Sequence, residues 1–453
     1  MLHQLKDRTG KTILIAAFIF SSSSEAGADN TLADALTNGK FDLYARLRYE
    51  NVDDDQSTAL VPRLEDANAV TLRTALGYNT GLFHQFGLYL QFEDVRVIGN
   101  EEFNDSGTNG NTRFATVVDP EGTEVQQANI RYEGFANTLF RFGRQEIEHR
   151  QAPLHRYIGN ILWRQNWQSF DAFRVTHDAF IDPLTGLPRL KLDYSYAWNT
   201  NRIFGEDNPI PDRSDFPMHS HFINAQYLGF SLLKLEGYAY LLDFDHAVSE
   251  RFDTNTFGLR GEGNYGFGKK WKVLYTAEFA NQRDAYDNPA DHLSVNYYLG
   301  ELGATYSVGK KYLDAVTVKA SYEVLQGDGV DENTVPRSFQ TPLGTNHAFQ
   351  GWADRFLITP KDGIRDFFIT AKAGVYGATA MLMYHDFSSD SLGYDYGTEL
   401  DLLLEKPFAK YWVAGVKYAA YDADQNALNL ARNSAAGQAF DLDKFWVYVQ
   451  FKY

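Results

Sequence analysis

From Phe41 onward apolar and polar residues alternate with a period of two. Phe41, Leu43, Ala45, Leu47 and Tyr49 interleave with Asp42, Tyr44, Arg46, Arg48 and Glu50. Successive side chains of an extended chain point to opposite faces, so this segment predicts a strand with one apolar and one wet face. The same phase recurs with Val70, Leu72, Leu76 and Tyr78 against Thr71 and Arg73, and with Phe86, Leu88, Leu90 and Phe92 against Tyr89, Gln91 and Glu93. Further strands are predicted near 124–133, 138–145, 169–177, 188–198, 219–228, 231–242, 253–264, 271–281, 292–306, 315–326, 365–376, 379–387, 396–405, 411–421 and 444–453. The total is about eighteen, and an even number suits a barrel whose strands cross a membrane.

The connections sharpen this picture. Long segments (51–68, 98–123, 146–168, 199–218, 327–364 and 422–443) alternate with short turns such as Gly134-Phe135-Ala136-Asn137 and Lys406-Pro407-Phe408. Long outer loops and short periplasmic turns are the asymmetry of an outer-membrane barrel, and an even strand count returns both termini to the periplasm. The segment 178–187, with Asp182-Pro183-Leu184-Thr185-Gly186, is longer than its place in that scheme prefers. No fixed-length repeat of the propeller or β-helix kind occurs. The expected fold is therefore all-β, an 18-stranded antiparallel transmembrane β-barrel with long outer loops and short periplasmic turns.

Both ends of the chain carry address signals. Residues 1–28 read as a secretory signal peptide: Lys6, Arg8 and Lys11 precede a short apolar run from Thr12 to Phe20, and Ala26-Gly27-Ala28 forms a small-residue cleavage site. Residues 29–453 are then one barrel domain, exported by the Sec pathway to the outer membrane of a Gram-negative cell. No stretch is apolar for the roughly 20 residues that a spanning helix needs. At the other end Phe445, Val447, Val449, Phe451 and Tyr453 alternate with Trp446, Tyr448, Gln450 and Lys452. That resembles the terminal-strand signal read by the outer-membrane assembly machinery. Tyr49, Tyr78, Tyr132, Trp198, Tyr227, Trp271 and Trp412 are placed to form interfacial aromatic girdles.

Composition removes competing classes. The 453 residues carry a net charge of −17, from 42 Lys+Arg against 59 Asp+Glu, and no Cys. A disulfide scaffold, a thiol enzyme and a Cys-ligated metal are excluded. An acidic chain without a basic domain is not a nucleic-acid binder. With 28 Tyr and 33 Phe it has too much buriable surface to be disordered.

Turning the polar face of each strand inward gives the lumen wall. Its cations are Arg46, Arg48, Arg73, Arg131, Arg141, Arg174, Lys191, Lys234, Arg260, Lys272, Lys319, Lys372, Lys417 and Lys452. Its anions are Asp42, Glu50, Glu93, Asp193, Glu236, Glu262, Glu278, Glu301, Glu323, Glu399, Asp401 and Glu405. The wall is mixed and slightly positive, arginine is concentrated in the first six strands, and the acidic surplus falls in loops and turns. A guanidinium fork holds a carboxylate bidentately, so an arginine column suits transit of an acidic sugar polymer; equally, these arginines can pair with glutamates of neighbouring strands. The third outer loop mixes Arg144, His149, Arg150, His155, Arg156, Trp163, Arg164 and Trp167, and suits a constriction folded into the lumen. The seventh, the longest, is a candidate plug or lid.

Gly143-Arg144-Gln145, Trp163-Arg164-Gln165-Asn166, Phe170-Asp171-Ala172 and Phe349-Gln350-Gly351-Trp352-Ala353-Asp354 together resemble the bacterial alginate-export porin family. The resemblance covers most of the chain after the signal peptide. It implies an 18-stranded monomeric barrel that passes the polyanion alginate through an electropositive constriction, with Arg144 and Arg164 in that role. The expected partners are outer-membrane lipid, lipopolysaccharide and an acidic saccharide.

Other chemistry has little support. Ser169 with His177, or His219-Ser220-His221, lacks a nucleophile motif, so no catalytic residue, enzyme activity or cofactor is expected. His219 and His221 share a strand face without a matching carboxylate. Asp53-Asp54-Asp55 and the acidic run 327–333 lack a full calcium-loop pattern, so no metal site is expected. Two alternatives to an anionic-saccharide channel remain: a general diffusion porin, and a binding or structural barrel plugged by its third and seventh loops.

Overall fold

In the computed structural model residues 31–57, 63–329 and 337–453 are described. The signal-peptide segment 1–28 and most of the acidic run 327–333 lie outside them. A short helix, α1 (Leu32–Thr37), leads into eighteen strands. The first half comprises β1 (Lys40–Asp54), β2 (Ala67–Asn79), β3 (Phe86–Val97), β4 (Gly122–Phe135), β5 (Thr138–Gln145), β6 (Ser169–Ile181), β7 (Pro188–Asn201), β8 (Asp215–Tyr227) and β9 (Leu233–Leu242). The second comprises β10 (Thr254–Phe267), β11 (Trp271–Asp284), β12 (Ser294–Lys310), β13 (Leu313–Gln326), β14 (Gly363–Val375), β15 (Ala378–Ser388), β16 (Asp395–Phe408), β17 (Trp412–Ala423) and β18 (Leu442–Lys452).

Each strand pairs antiparallel with its neighbours in sequence, and β1 pairs with β18, so the sheet closes without an edge. Closure satisfies every ladder, which is the condition for strands to stand in lipid. The terminal strand does this work directly: Leu47 lies opposite Val449 and Ala45 opposite Phe451, while Tyr453 and Leu43 exchange backbone hydrogen bonds.

Strand phase follows the sequence. Leu88, Leu90 and Phe92 face out and are exposed, while Gln91 and Glu93, in the alternate phase, are buried. The exposed apolar side chains on the outer surface form the band a bilayer covers. At the periplasmic ends rings pair along the rim, Phe41 with Tyr78 at 4.5 Å and Trp271 with Tyr306 at 4.8 Å between centroids. The compact apolar core is inside the barrel. Phe103, Ile147, Ile158, Phe339, Leu343 and Trp352 come from the second, third and seventh outer loops (98–121, 146–168 and 327–362) and pack against Phe222, Tyr297, Phe387 and Trp446 of the wall.

Three elements have no forerunner in the alternation: α1, α2 (Pro211–Ser214) and α3 (Ala427–Asn433). All are too short for a helical period to stand out. The long turn between β6 and β7 is ordered by Asp182, whose Oδ1 accepts from the Leu184 and Thr185 amides at 2.9 and 3.1 Å.

Candidate functional site

The third loop descends into the lumen and is stapled to β1 and β2. Arg46 donates from Nε to Gln165 Oε1 at 2.9 Å and from its other nitrogens to the Leu162 and Trp163 carbonyls at 2.9 and 3.0 Å. Arg48 is paired with Asp119 of the second loop, lies 3.1 Å from Glu50, and donates to the Trp163 carbonyl. Arg73 pairs with Glu93 and lies 4.0 Å from the Trp167 ring centroid. Arg164, on the loop itself, reaches Glu50 at 3.3 Å and Asp354 of the seventh loop at 3.0 Å. All four guanidinium groups are buried. Partners are obligatory there, since an unsatisfied charge in such surroundings is costly: Arg48, Arg73 and Arg164 meet carboxylates, and Arg46 is held by Gln165 and loop carbonyls.

The seventh loop docks on the third. Ile158 and Leu343 form a short parallel bridge, and the Thr345 amide donates to the His155 carbonyl at 2.8 Å. Arg156 donates to Gln350 and to Glu323 of β13, both at 2.8 Å. Trp163 stacks on His347 with centroids 4.7 Å apart. Lys417 of β17 caps this stack, its Nζ 4.3 Å from the Trp163 ring and 3.7 Å from the Trp352 ring. Burial first, with Lys417 and Arg164 adding to it, depresses His347 to about 3, so its imidazole is neutral. Its Nδ1 then donates to Asp354 at 2.7 Å, and Nε2 accepts from Lys417. Burial alone would raise Asp354, but His347, Lys444 and Arg164 hold its carboxyl well below the usual range.

The segment Gln350-Gly351-Trp352-Ala353-Asp354 works as a clasp. The Ala353 amide donates to Glu399 at 2.7 Å and the Trp352 amide to Asp401 at 3.3 Å. Gly351, at φ +79°, lies so close that a Cβ there would sit 2.3 Å from the Glu399 carboxylate. Only glycine fits that approach.

The other arginines have a different setting. Arg131, Arg141 and Arg174 stand directly opposite one another on β4, β5 and β6, all facing in. Arg131 donates to Glu133 at 2.9 Å and to the Thr80 carbonyl at 2.7 Å, and Arg174 holds Asp193 at 3.1 Å through Nε. Arg141 makes no side-chain hydrogen bond or ion pair among the described residues, and it is only partly buried. Near Arg174, Glu148 of the third loop is raised to about 7, by burial first and then by Glu146, with Arg174 opposing the rise.

Arg144 departs from expectation. It alternates with Gly143 and Gln145, so it shares the outward face of β5 with the exposed Phe142. There it pairs with Asp171 at 3.0 Å and Glu206 at 2.8 Å, outside the lumen. The resemblance transfers a role to its motif, whereas strand parity decides the side. Arg46, Arg48, Arg73 and Arg164 are inside, but as loop anchors rather than as a free lining. Arg131 and Arg174 are the two expected residues that remain together on the wall, with Arg141 between them.

Asp119 and Gln165 carry much of the anchoring; Gln165 stands in the motif Trp163-Arg164-Gln165-Asn166, whereas Asp119 is unmarked by any sequence pattern. Asp119 accepts from the Gln165 amide at 3.0 Å, and Gln165 Nε2 donates to the Thr71 carbonyl at 3.0 Å. One carboxylate in a long loop has no periodicity to reveal it. Ser169 is buried, while His177 lies at the other end of β6 and meets Thr138. Asp53 and Asp55 are bridged by Arg63. No group of three or more metal-ligating side chains converges among the described residues.

No protein-family model matches the chain, and no curated protein matches it in sequence. Solved structures match in fold. Pseudomonas aeruginosa OpdK with vanillate superposes with a TM-score of 0.63 at 14% identity, covering 92% of this chain and 99% of that one. Acinetobacter baumannii OccAB1 gives 0.65 at 12% identity over 95% and 99% of the two chains. Pseudomonas aeruginosa OccK9 (OpdG) gives 0.63 at 12% over 92% and 100%. At such identity the likeness is one of architecture: this chain is a closed 18-stranded antiparallel β-barrel of the kind found in outer-membrane porins.

Proposed function

We propose that the protein is a monomeric outer-membrane channel that passes a carboxylate-bearing saccharide, unchanged, along the wall formed by β4, β5 and β6. The observation that carries this reading is the arginine row. Arg131 and Arg174 have local acids, while Arg141 between them has a guanidinium without a partner among the described residues. With its neighbours each matched to an acid, the Arg141 guanidinium is the charge left for an anion, and a guanidinium fork matches a carboxylate. A chain of uronate units moving along this wall would pass the row one carboxylate at a time. Alginate is the polymer that the motif resemblance favours.

A second reading is a small carboxylate, favoured by the vanillate in the OpdK structure. One experiment separates the two. Single channels in planar bilayers should prefer anions, and uronate oligomers added to one side should block them with dwell times that lengthen with chain length. Arg141→Gln should shorten the block. Block by vanillate with none by oligomers would select the small carboxylate. A channel that prefers cations and ignores both would overturn the proposal.

A further inference from the structure

The periplasmic rim of the barrel is divided. The turns joining β2 to β3, β4 to β5, β6 to β7 and β8 to β9 contain no lysine; the strand ends on this side add Lys40 and Arg189, the latter paired with Asp182 at 2.7 Å, and the exposed groups include Leu184 and Phe230. Across the barrel, on the side from β10 to β17, the turns and strand ends present Lys269, Lys270, Lys310, Lys311, Lys406 and Lys410, all exposed. The outward carboxylate among them is Asp314; Glu405 faces in and is held by the Tyr448 hydroxyl at 2.7 Å. Six cations therefore stand against one anion in a protein whose net charge is −17.

The level of these lysines is set by outward rings. Lys270 precedes Trp271 and its Nζ lies 5.5 Å from the Tyr306 ring centroid, while Lys410 lies 4.5 Å from that of Tyr411. Phe408 and Trp412 stack 6.2 Å apart beside Lys406 and Lys410. Outward rings at strand ends mark the water–lipid interface, and lysine stems beside them carry their ammonium groups to the depth of the headgroups. The opposite ends of β15, β16 and β17 reverse the sign: Asp386, Asp395, Asp422 and Asp424 line an open hollow of about 360 Å³. Strands β16 and β17 are thus acidic at the outer face and, through Lys406 and Lys410, basic at the periplasmic face.

We propose that this basic crescent binds the headgroups of anionic phospholipids in the periplasmic leaflet, with phosphates seated at the Lys269–Lys270 and Lys310–Lys311 pairs. The lipid band of the barrel runs directly into the crescent, which places acyl chains below the phosphates it attracts. Each lysine near such a surface adds a modest increment, so the effect comes from clustering. Binding at the rim is independent of what passes through the lumen.

The test uses the folded full barrel in detergent, titrated with phosphatidylglycerol or phosphatidylcholine of identical acyl chains and read by native mass spectrometry. Wild type should retain several-fold more phosphatidylglycerol. Changing the six lysines to Gln should bring the ratio close to one, and changing them to Arg should keep it. Leu184→Gln with Phe230→Gln, on the other half of the rim, should leave it unaltered. Equal retention by wild type would overturn the proposal, in favour of a soluble acidic partner for the crescent. Complete competition by inorganic phosphate would also overturn it, as the mark of a free-anion site.

Discussion

Arg46, Arg48 and Arg73 on β1 and β2, and Arg131, Arg141 and Arg174 on β4 to β6, stand on one inner surface with opposite surroundings. Around the first group a loop has been laid down. Loop carbonyls and the carboxylates of Glu50, Glu93 and Asp119 meet its guanidinium groups. Around the second the third loop reaches only Arg174, which donates to the Glu146 carbonyl at 3.3 Å; Arg131 and Arg174 are neutralised locally, and Arg141 has neither a loop acceptor nor an ion pair among the described residues. An arginine on a barrel wall acts as a staple where a loop brings acceptors down to it, and as lumen charge where none arrives. Removing a staple should change structure first and selectivity second. Removing a lumen charge should do the reverse.

The largest effect is expected at Arg48. Arg48→Ala leaves Asp119 buried without its cation and Glu50 with Arg164 alone, and breaking such a pair costs about 3–5 kcal/mol. The third loop should detach from β1. Proteolysis within 146–168 should become fast, and single-channel conductance should rise and turn noisy. An unchanged cleavage rate would show that the loop is held elsewhere. Gln165→Ala should follow in size. It removes the acceptor of Arg46 and the donor to Thr71, and unsatisfied buried partners cost about 1–3 kcal/mol each. Cleavage should accelerate less than in Arg48→Ala, and an acceleration equal to or greater than that of Arg48→Ala would invert the assignment of the main anchor.

How far these contrasts are legible in the sequence depends on the distance between partners along the chain. Period-two alternation gives Arg46, Arg73 and Arg141 the same inward phase, because phase is a local property. What separates them is Asp119, 71 positions from Arg48, and the loop carbonyls, 115 and more positions away. No spacing rule links such residues. Arg144 shows the converse: its motif is recognisable, yet one step of parity puts it outside the lumen. The loop motif 349–354 is legible as a motif, while its use as a clasp on Glu399 and Asp401 depends on a bare backbone at Gly351 meeting the wall.

Arg141→Ala sharpens the comparison from the other side. With no partner among the described residues to strand, the substitution should leave loop cleavage and heat-modifiable migration at wild-type levels. It should move the reversal potential towards cations, and Arg141→Glu should move it further. Loss of folding in Arg141→Ala, with selectivity intact in the molecules that do fold, would make Arg141 a staple as well.

The smallest effect is a pH dependence at Glu148, the third-loop carboxyl near Arg174. Its carboxyl is raised to about 7, by burial and then by the neighbouring Glu146, and Arg174 opposes that rise. A carboxyl whose folded value lies above its ordinary one is neutral below that value, and its ionisation works against the folded arrangement as pH rises through about 7. Below that pH Arg174, at the end of the row, has a neutral group beside it. Above it a negative charge offsets part of the row. Anion preference should therefore fall between about pH 6 and about pH 8, the range in which such a group changes charge. Glu148→Gln should hold the preference at its low-pH level throughout, without altering loop cleavage. A pH dependence that persists in Glu148→Gln would place the titrating group elsewhere in the passage. His347 does not provide one, since its imidazole is already neutral across that range.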